Sequence, residues 1–239
     1  MARQLTQSSS QYLEYGSAIV SAPPFSFACW FYRDSVNYQE LFGLGSTAIN
    51  NWHGLLLYGT TGTGLRAYSR GAGSTHAEAS PASPTAGAIH HACGVWAATN
   101  DRRVYLDGGN KATDAGNQSP TVDVTSIGRL VVNGSGYYYA DGWIAEAALW
   151  NVALTDDDVA SLAKGFSPLL ICCGSLVAYW PLGGLNGRHD RDHFGQYSLT
   201  AYNVPTWADH PPVIYPCGPH VAAPSTTRVP WHLFGGAAA

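Results

Sequence analysis

From the N-terminus to about Trp150 the chain alternates short apolar runs with clusters of Gly, Ser, Thr, Asn and Pro, the pattern of a sandwich or barrel of short strands. The run FSFACWFYR puts Phe25, Phe27, Cys29 and Phe31 on one face and Ser26, Ala28, Trp30 and Tyr32 on the other. HGLLLYG and GLRAYSRG predict the next strand pair, joined through TTGTG. HHACGVWAA runs through a turn at Asn100 and Asp101 into RRVYLDGG, a hairpin. One strand breaks the alternation. Between Trp143 and Trp150 the only charge is Glu146, so neither face is made for water. Such a strand needs cover on both sides, from a partner subunit or from the chain's own C-terminal segment.

A short helix follows, near 156–164. Thr155 is a good N-cap, and Asp156, Asp157 and Asp158 fill the first turn, where the helix dipole favours negative charge. Val159 and Leu162 are spaced to face a core, and Gly165 suits the left-handed position after the helix. Three consecutive carboxylates lack the alternating spacing of a calcium loop, so capping explains them. SLVAYWPL predicts a further strand, and the closing strands of the domain fall within 169–204. The expected organisation is one all-β domain over 1–208, antiparallel and two-sheeted, then a Pro-rich extended arm over 209–239. The arm ends in Trp231, Leu233 and Phe234, apolar anchors for another subunit.

Composition narrows the classes. Charged residues make up only 12% of the chain, about half the usual share, so much of the surface must be uncharged or covered. The formal net charge of -4 leaves no basic footprint for nucleic acid. No apolar run is long enough to span a bilayer, and MARQLTQSSSQYLEYG has no signal-peptide core, so synthesis in the cytoplasm and no membrane partner are expected. The five cysteines have no metal or redox spacing and are expected as free, buried thiols, with adjacent Cys172 and Cys173 pointing to opposite faces of a strand. Glu14, Glu40, Glu78 and Glu146 stand isolated, without the paired carboxylates that glycoside chemistry requires, so no catalysis is expected.

Two groups of side chains qualify as ligand sites. In RHDRDHFG, Asp190 and Asp192 alternate onto one side between His189 and His193, a set that calcium or another metal could use, although further ligand spacing is missing and no cofactor is expected. The loops NNWHG and NGSGYYYADG offer aromatic rings and amides suited to a glycan: Asn51, Trp52 and His53 in the first, Tyr137, Tyr138 and Tyr139 in the second. Three consecutive tyrosines cannot all point inward. At least one must be exposed or meet a partner.

DGWIAEAALWNVALTDDDVASLAKG resembles the closing motif of the laminin-G-like jelly-roll domains of the concanavalin A-like lectin and glucanase superfamily, with Gly142, Ile144, Glu146, Asn151, Ala153 and Leu154 matching. HHACGVWAATNDRRVYLDGG resembles the family's hairpin and FSFACWFY its early strand, and together the likeness covers about residues 5–165. SLVAYWPLGG is similar to the segment that usually opens such domains, but here it follows the helix. The resemblance implies a jelly roll in rearranged order, closed within one chain or by exchange between copies. The arrangement resembles that of bacteriophage virion proteins. It implies a non-enzymatic capsid-decoration, tail or fibre component, located in the virion, whose partners are other virion subunits and further copies of itself. A lectin-like module for host or environmental glycans is the alternative. Where the family usually carries charged residues on the closing strand, this chain has Trp143, Ala145 and Ala148, and Trp143 and Ala145 are therefore the expected assembly contacts beside the arm.

Overall fold

A computed structural model describes residues 2–58, 64–79, 84–183 and 190–216. In chain order the first strands are β1 (Ala2–Leu5), β2 (Tyr12–Tyr15), β3 (Phe25–Arg33), β4 (Gln39–Gly45), β5 (Trp52–Leu57) and β6 (Leu65–Arg70). There follow β7 (Ser74–Ala79), β8 (Ile89–Ala98), β9 (Asp101–Leu106), β10 (Gly109–Asp114), β11 (Val124–Ile127), β12 (Leu130–Val132) and β13 (Ser135–Tyr137). The closing elements are β14 (Gly142–Trp150), the helix α1 (Asp156–Ala163), β15 (Leu176–Trp180), β16 (Thr200–Tyr202) and β17 (Thr206–Ala208). No helix among the described residues is long and apolar enough to cross a membrane.

Two antiparallel sheets face each other. The first runs β10-β9-β8-β3-β14-β1-β17, with β15 also paired to β14; the second runs β16-β2-β11-β4-β5-β6-β7. The inward residues of alternating strands fill the space between them. Phe27 of the first sheet stacks on Phe42 of the second at 3.7 Å between ring centroids, and Phe25 stacks on Trp96 at 4.7 Å. This is the two-sheet sandwich expected from the pattern and the jelly roll that the resemblance implies. β15 and β17 enter the first sheet and β16 the second, so the C-terminal strands complete a body begun by the N-terminal ones.

The helix forms as its sequence dictates. The Thr155 side chain accepts from the Asp158 amide at 3.2 Å, while the Asp158 carboxylate accepts from the Thr155 amide at 2.9 Å, a reciprocal capping box. Asp156 is held by Lys111 at 2.8 Å and by the Tyr105 hydroxyl at 2.7 Å, so its carboxylate also ties the helix to the first sheet.

β14 is buried along its whole length, and its cover corrects the expectation of a partner subunit. On one edge β14 pairs with β3; on the other it pairs first with β1, at Gly142–Ile144, and then with β15, at Ala147–Trp150. A register shift between Ala145 and Ala148 marks this change of neighbour, and Glu146 sits there with φ of 53°. Val159 and Leu162 of α1, with Ile171 and Leu176, cover Ala148 and Trp150 from outside. Trp143 and Ala145 are 7% and 0% exposed, packed with Ala2, Trp30, Tyr32 and Ala208. The expected assembly contacts Trp143 and Ala145 are therefore interior residues of this chain.

The segment beyond β17, placed by the sequence in an extended arm that docks on another subunit, runs back over the first sheet through residues 210–215. Ile214 exchanges backbone bonds with Gly165 and Ser167, at 2.7 and 3.0 Å. His210 Nε2 and the Tyr215 hydroxyl reach Glu146 Oε1 at 2.9 and 2.8 Å, and the Tyr179 hydroxyl donates to Oε2 at 2.5 Å. The buried Glu146 carboxylate thus clamps β15 and the C-terminal segment onto β14. Trp231, Leu233 and Phe234 lie outside the described residues.

The cysteines divide. Cys29 and Cys93 are buried, and burial pushes both thiols up. Cys172 and Cys173 are exposed in a turn instead, with Cys172 left-handed at φ of 43°, because the strand starts only at Leu176.

Candidate functional site

The outer face of the second sheet carries a concentration of half-exposed rings. Its cross-strand register aligns His76, Tyr68, Gly54, Gly43, Ser126, Glu14 and Thr200 in one row, and residues so paired share a face. The two glycines, lacking side chains of their own, make room between the flanking rings for the side chain of Glu40. Trp52 stacks on Tyr68 at 4.3 Å, and Tyr68 stacks on His76 at 5.6 Å. Beyond Leu57 the alternation turns Tyr58 to the same side, where Tyr38 meets it edge-on at 4.7 Å and Tyr138 stacks on Tyr38 at 5.4 Å. The Arg66 guanidinium lies 3.6 Å over the Tyr58 ring.

The hairpin β12–β13 brings Tyr138 there. Leu130 packs with Trp52 and Leu56, so the hairpin folds onto the sheet. The Glu40 amide donates to the Tyr138 carbonyl at 2.7 Å. Tyr138 takes φ of 51°, which turns the chain sharply and leaves its ring 38% exposed. A second aromatic group lies toward β2 and β16, where Tyr12 stacks on Tyr202 at 4.5 Å and Arg129 covers the Tyr12 ring at 3.7 Å while pairing with Glu14.

Glu40 lies beneath the first group. A register shift between Glu40 and Phe42 sets its side chain on the outer face, yet it is 0% exposed. It is folded over Gly54, where an added Cβ would strike Glu40 Oε1 and crowd the Trp52 ring. Neither carboxyl oxygen has a hydrogen-bond partner of ordinary geometry. Burial raises its pKa well above the usual carboxylate range, opposed only in part by the nearby Leu55 amide.

The site residues read from the sequence fare differently. Tyr137 and Tyr138 are exposed, and Tyr139 is half-buried, 6.0 Å from Tyr12. Trp52 and His53 are not on a rim loop: β5 begins at Trp52, and the two are 5% and 1% exposed. Trp52 forms part of the floor of the face, sealed against Tyr68. His53 points inward, with Nδ1 2.8 Å from the Ser69 hydroxyl, and burial lowers its pKa to about 3. Asn51 is half-buried, its amide donating to the Asn50 carbonyl at 3.2 Å and accepting from the Thr121 amide at 3.1 Å.

Asp190 and Asp192 are not gathered as a ligand set. Asp192 is 3% exposed and turned inward, accepting from the Tyr179 amide at 2.8 Å and the Gln196 amide at 3.2 Å. Asp190 pairs with Arg3 at 3.3 Å. Among the described residues no three His, Cys, Asp or Glu side chains are placed to hold a metal ion.

Tyr38, Tyr58, Arg66, Tyr68 and Glu40 were not among the candidates read from the sequence. Period-two alternation along β5 and β6 carried a signal for Tyr58, Arg66 and Tyr68. Glu40 carried none, because the shift that exposes its face is a property of pairing with β5.

No curated protein matches the chain significantly in sequence. Solved structures do match in fold. Domain 4 of AbnA, an extracellular arabinanase from Geobacillus stearothermophilus, solved with arabinotriose, is 19% identical, with a TM-score of 0.54 over 64% of this chain and 72% of that one. The CBM40 of the Ruminococcus gnavus IT-sialidase, bound to α2,3-sialyllactose, is 15% identical, with a TM-score of 0.54 over 64% of this chain and 93% of that one. A protein from Bacteroides ovatus described as carbohydrate-binding is 16% identical, with a TM-score of 0.65 over 89% of this chain and 61% of that one. The model of one family, Laminin_G_3, matches residues 7–160, most of the described sandwich. With its sheet order, capped helix and closing strand in place, the chain belongs to this family of the concanavalin A-like lectin/glucanases superfamily.

Proposed function

We propose that the chain is a non-catalytic glycan-binding module whose platform is the tyrosine group on the outer face of the second sheet. The observation that carries this is the meeting of Tyr38, Tyr58 and Tyr138, half-exposed, beside Gly43 and Gly54, over which the Glu40 side chain is folded. Sugars present flat C–H faces edged by hydroxyls. Half-exposed rings accept the first, and phenolic hydroxyls with Arg66 bond the second. The arabinotriose and sialyllactose complexes of the similar folds support the same use. The two glutamates beside the platform support binding without hydrolysis: Glu14 is engaged by Arg129, and Glu40 is sealed from solvent.

A glycan array probed with the purified chain, followed by Tyr58→Ala and Tyr138→Asn variants, tests this. Selective binding that weakens about threefold to tenfold for each lost ring is expected. A blank array with the folded protein, or variants that bind like the parent, would remove the proposal.

A further inference from the structure

Glu40 is more than a buried residue near the platform. A buried polar group left unbonded keeps its full desolvation penalty, and natural structures hold few of them. Among the described residues Glu40 is the carboxyl whose two oxygens are both buried and both unbonded. The Leu55 amide approaches the carboxyl without the geometry of an ordinary hydrogen bond, and the other polar groups nearby are engaged elsewhere. The Ser126 hydroxyl is committed to the carbonyls of Arg129 and Gly43, at 2.8 and 3.4 Å. Arg66 lies beyond Leu56 in the register and rests on Tyr58. What remains is aromatic: Trp52 beside Gly54, Tyr68 stacked on it, and Tyr138, whose hydroxyl is close enough to feel the Glu40 carboxyl together with Tyr58, Tyr38 and Tyr68.

A carboxyl ringed by electron-rich faces is an arrangement that selects a cation. A hydroxyl would gain one neutral hydrogen bond there, whereas an ammonium gains a charge pair in a dry site and the attraction of the rings. Resting on the glycan reading, we propose that Glu40 recognises a protonated amine on the ligand, so that the preferred class is an amine-bearing glycan such as a 2-amino-2-deoxy sugar. The amine enters beside Tyr138, the exposed ring of the group. Burial raises the Glu40 carboxyl above the usual carboxylate range, and the pairing with the ammonium opposes that rise. For the protonated form of the carboxyl, binding is carboxylic acid plus ammonium giving a carboxylate–ammonium pair plus one proton released to solvent.

Three trimers differing only at C2 test this: β-1,4-linked glucosamine (amine), N-acetylglucosamine (acetamide) and glucose (hydroxyl), titrated by calorimetry near neutral pH in two buffers of different ionisation enthalpy. The amine trimer is expected to bind roughly tenfold or more tighter than the other two, with up to one proton released per site. Glu40→Gln, shown folded by its melting curve, is expected to abolish both the preference and the proton release. Equal binding of the three trimers, or an amine preference that survives in Glu40→Gln, overturns the ammonium assignment and leaves glycan binding standing. A blank glycan array removes both.

Discussion

The two outer faces of the sandwich each bury a glutamate, and they treat it oppositely. On the first sheet Glu146 accepts from Tyr179 and Tyr215 and meets His210, so its carboxylate is satisfied by the segments that cover it. On the second sheet Glu40 is as deeply buried and has no such partner. The first face is closed by α1 and by the chain's return through residues 208–216. The second is covered only in part, by a hairpin and a row of rings. A completed network of buried polar groups marks a structural seam. An incomplete one under half-exposed aromatics is what the proposed glycan platform rests on.

The sharpest way to break this comparison is to remove Glu146. Glu146→Ala strips one carboxylate from two tyrosines and a histidine at once, and it is expected to destabilise the chain by about 3 kcal/mol, read as a lower midpoint in urea denaturation. A loss below about 1 kcal/mol would mean that the C-terminal segment is held by its apolar contacts and not by the clamp. Tyr215→Phe isolates the segment's own share. It keeps the ring and deletes one bond to a carboxylate, for an expected loss of about 1–2 kcal/mol by the same measurement.

The pH dependence of stability separates the faces without disturbing Glu146. The folded pKa of Glu40 is raised above its ordinary value of 4.5, so its contribution is fully present below that value and is lost as pH rises. The buried imidazoles of His53 and His91 act in the other direction. Burial lowers them to about 3 and about 4, so their contribution is present above their ordinary value of 6.5 and is lost as pH falls. Thermal melts across pH should therefore show stability falling on both sides of a maximum. Glu40→Gln should remove the loss on the alkaline side and leave the acid side unchanged. An unaltered alkaline limb in Glu40→Gln would mean that Glu40 finds a partner in solution.

The contrast also explains what could be read from the residues in order. The helix was legible in full, because Thr155, Asp158, Val159 and Leu162 act on one another within two turns. The sandwich was legible from alternation, and β14 was legible as an anomaly. Its cover was not, since the clamp joins Glu146 to His210 and Tyr215, 64 and 69 positions away. NNWHG was misplaced because two asparagines suggest a turn and leave the following residues to a loop, whereas β5 starts at Trp52 and draws His53 inward. The tyrosine triplet carried enough information in itself, since no backbone can bury three successive rings. Tyr38 and Tyr58 joined it only through the folding of the hairpin over the sheet.

The smallest expected change in stability belongs to the residue expected to matter most for binding. Tyr138 is 38% exposed, so loss of its ring uncovers little core. Its φ of 51° makes alanine a poor probe, because alanine would add backbone strain to the loss of the ring. Asparagine tolerates that conformation better, so Tyr138→Asn removes the ring while keeping the turn. Its urea midpoint should move by no more than about 0.5 kcal/mol, while affinity for the best array ligand falls about threefold to tenfold. The two readouts must part for the comparison to hold. A variant that loses stability in step with affinity would make Tyr138 a cover for Glu40 of the same kind as Tyr215 is for Glu146, and the second face would then be a closed seam like the first.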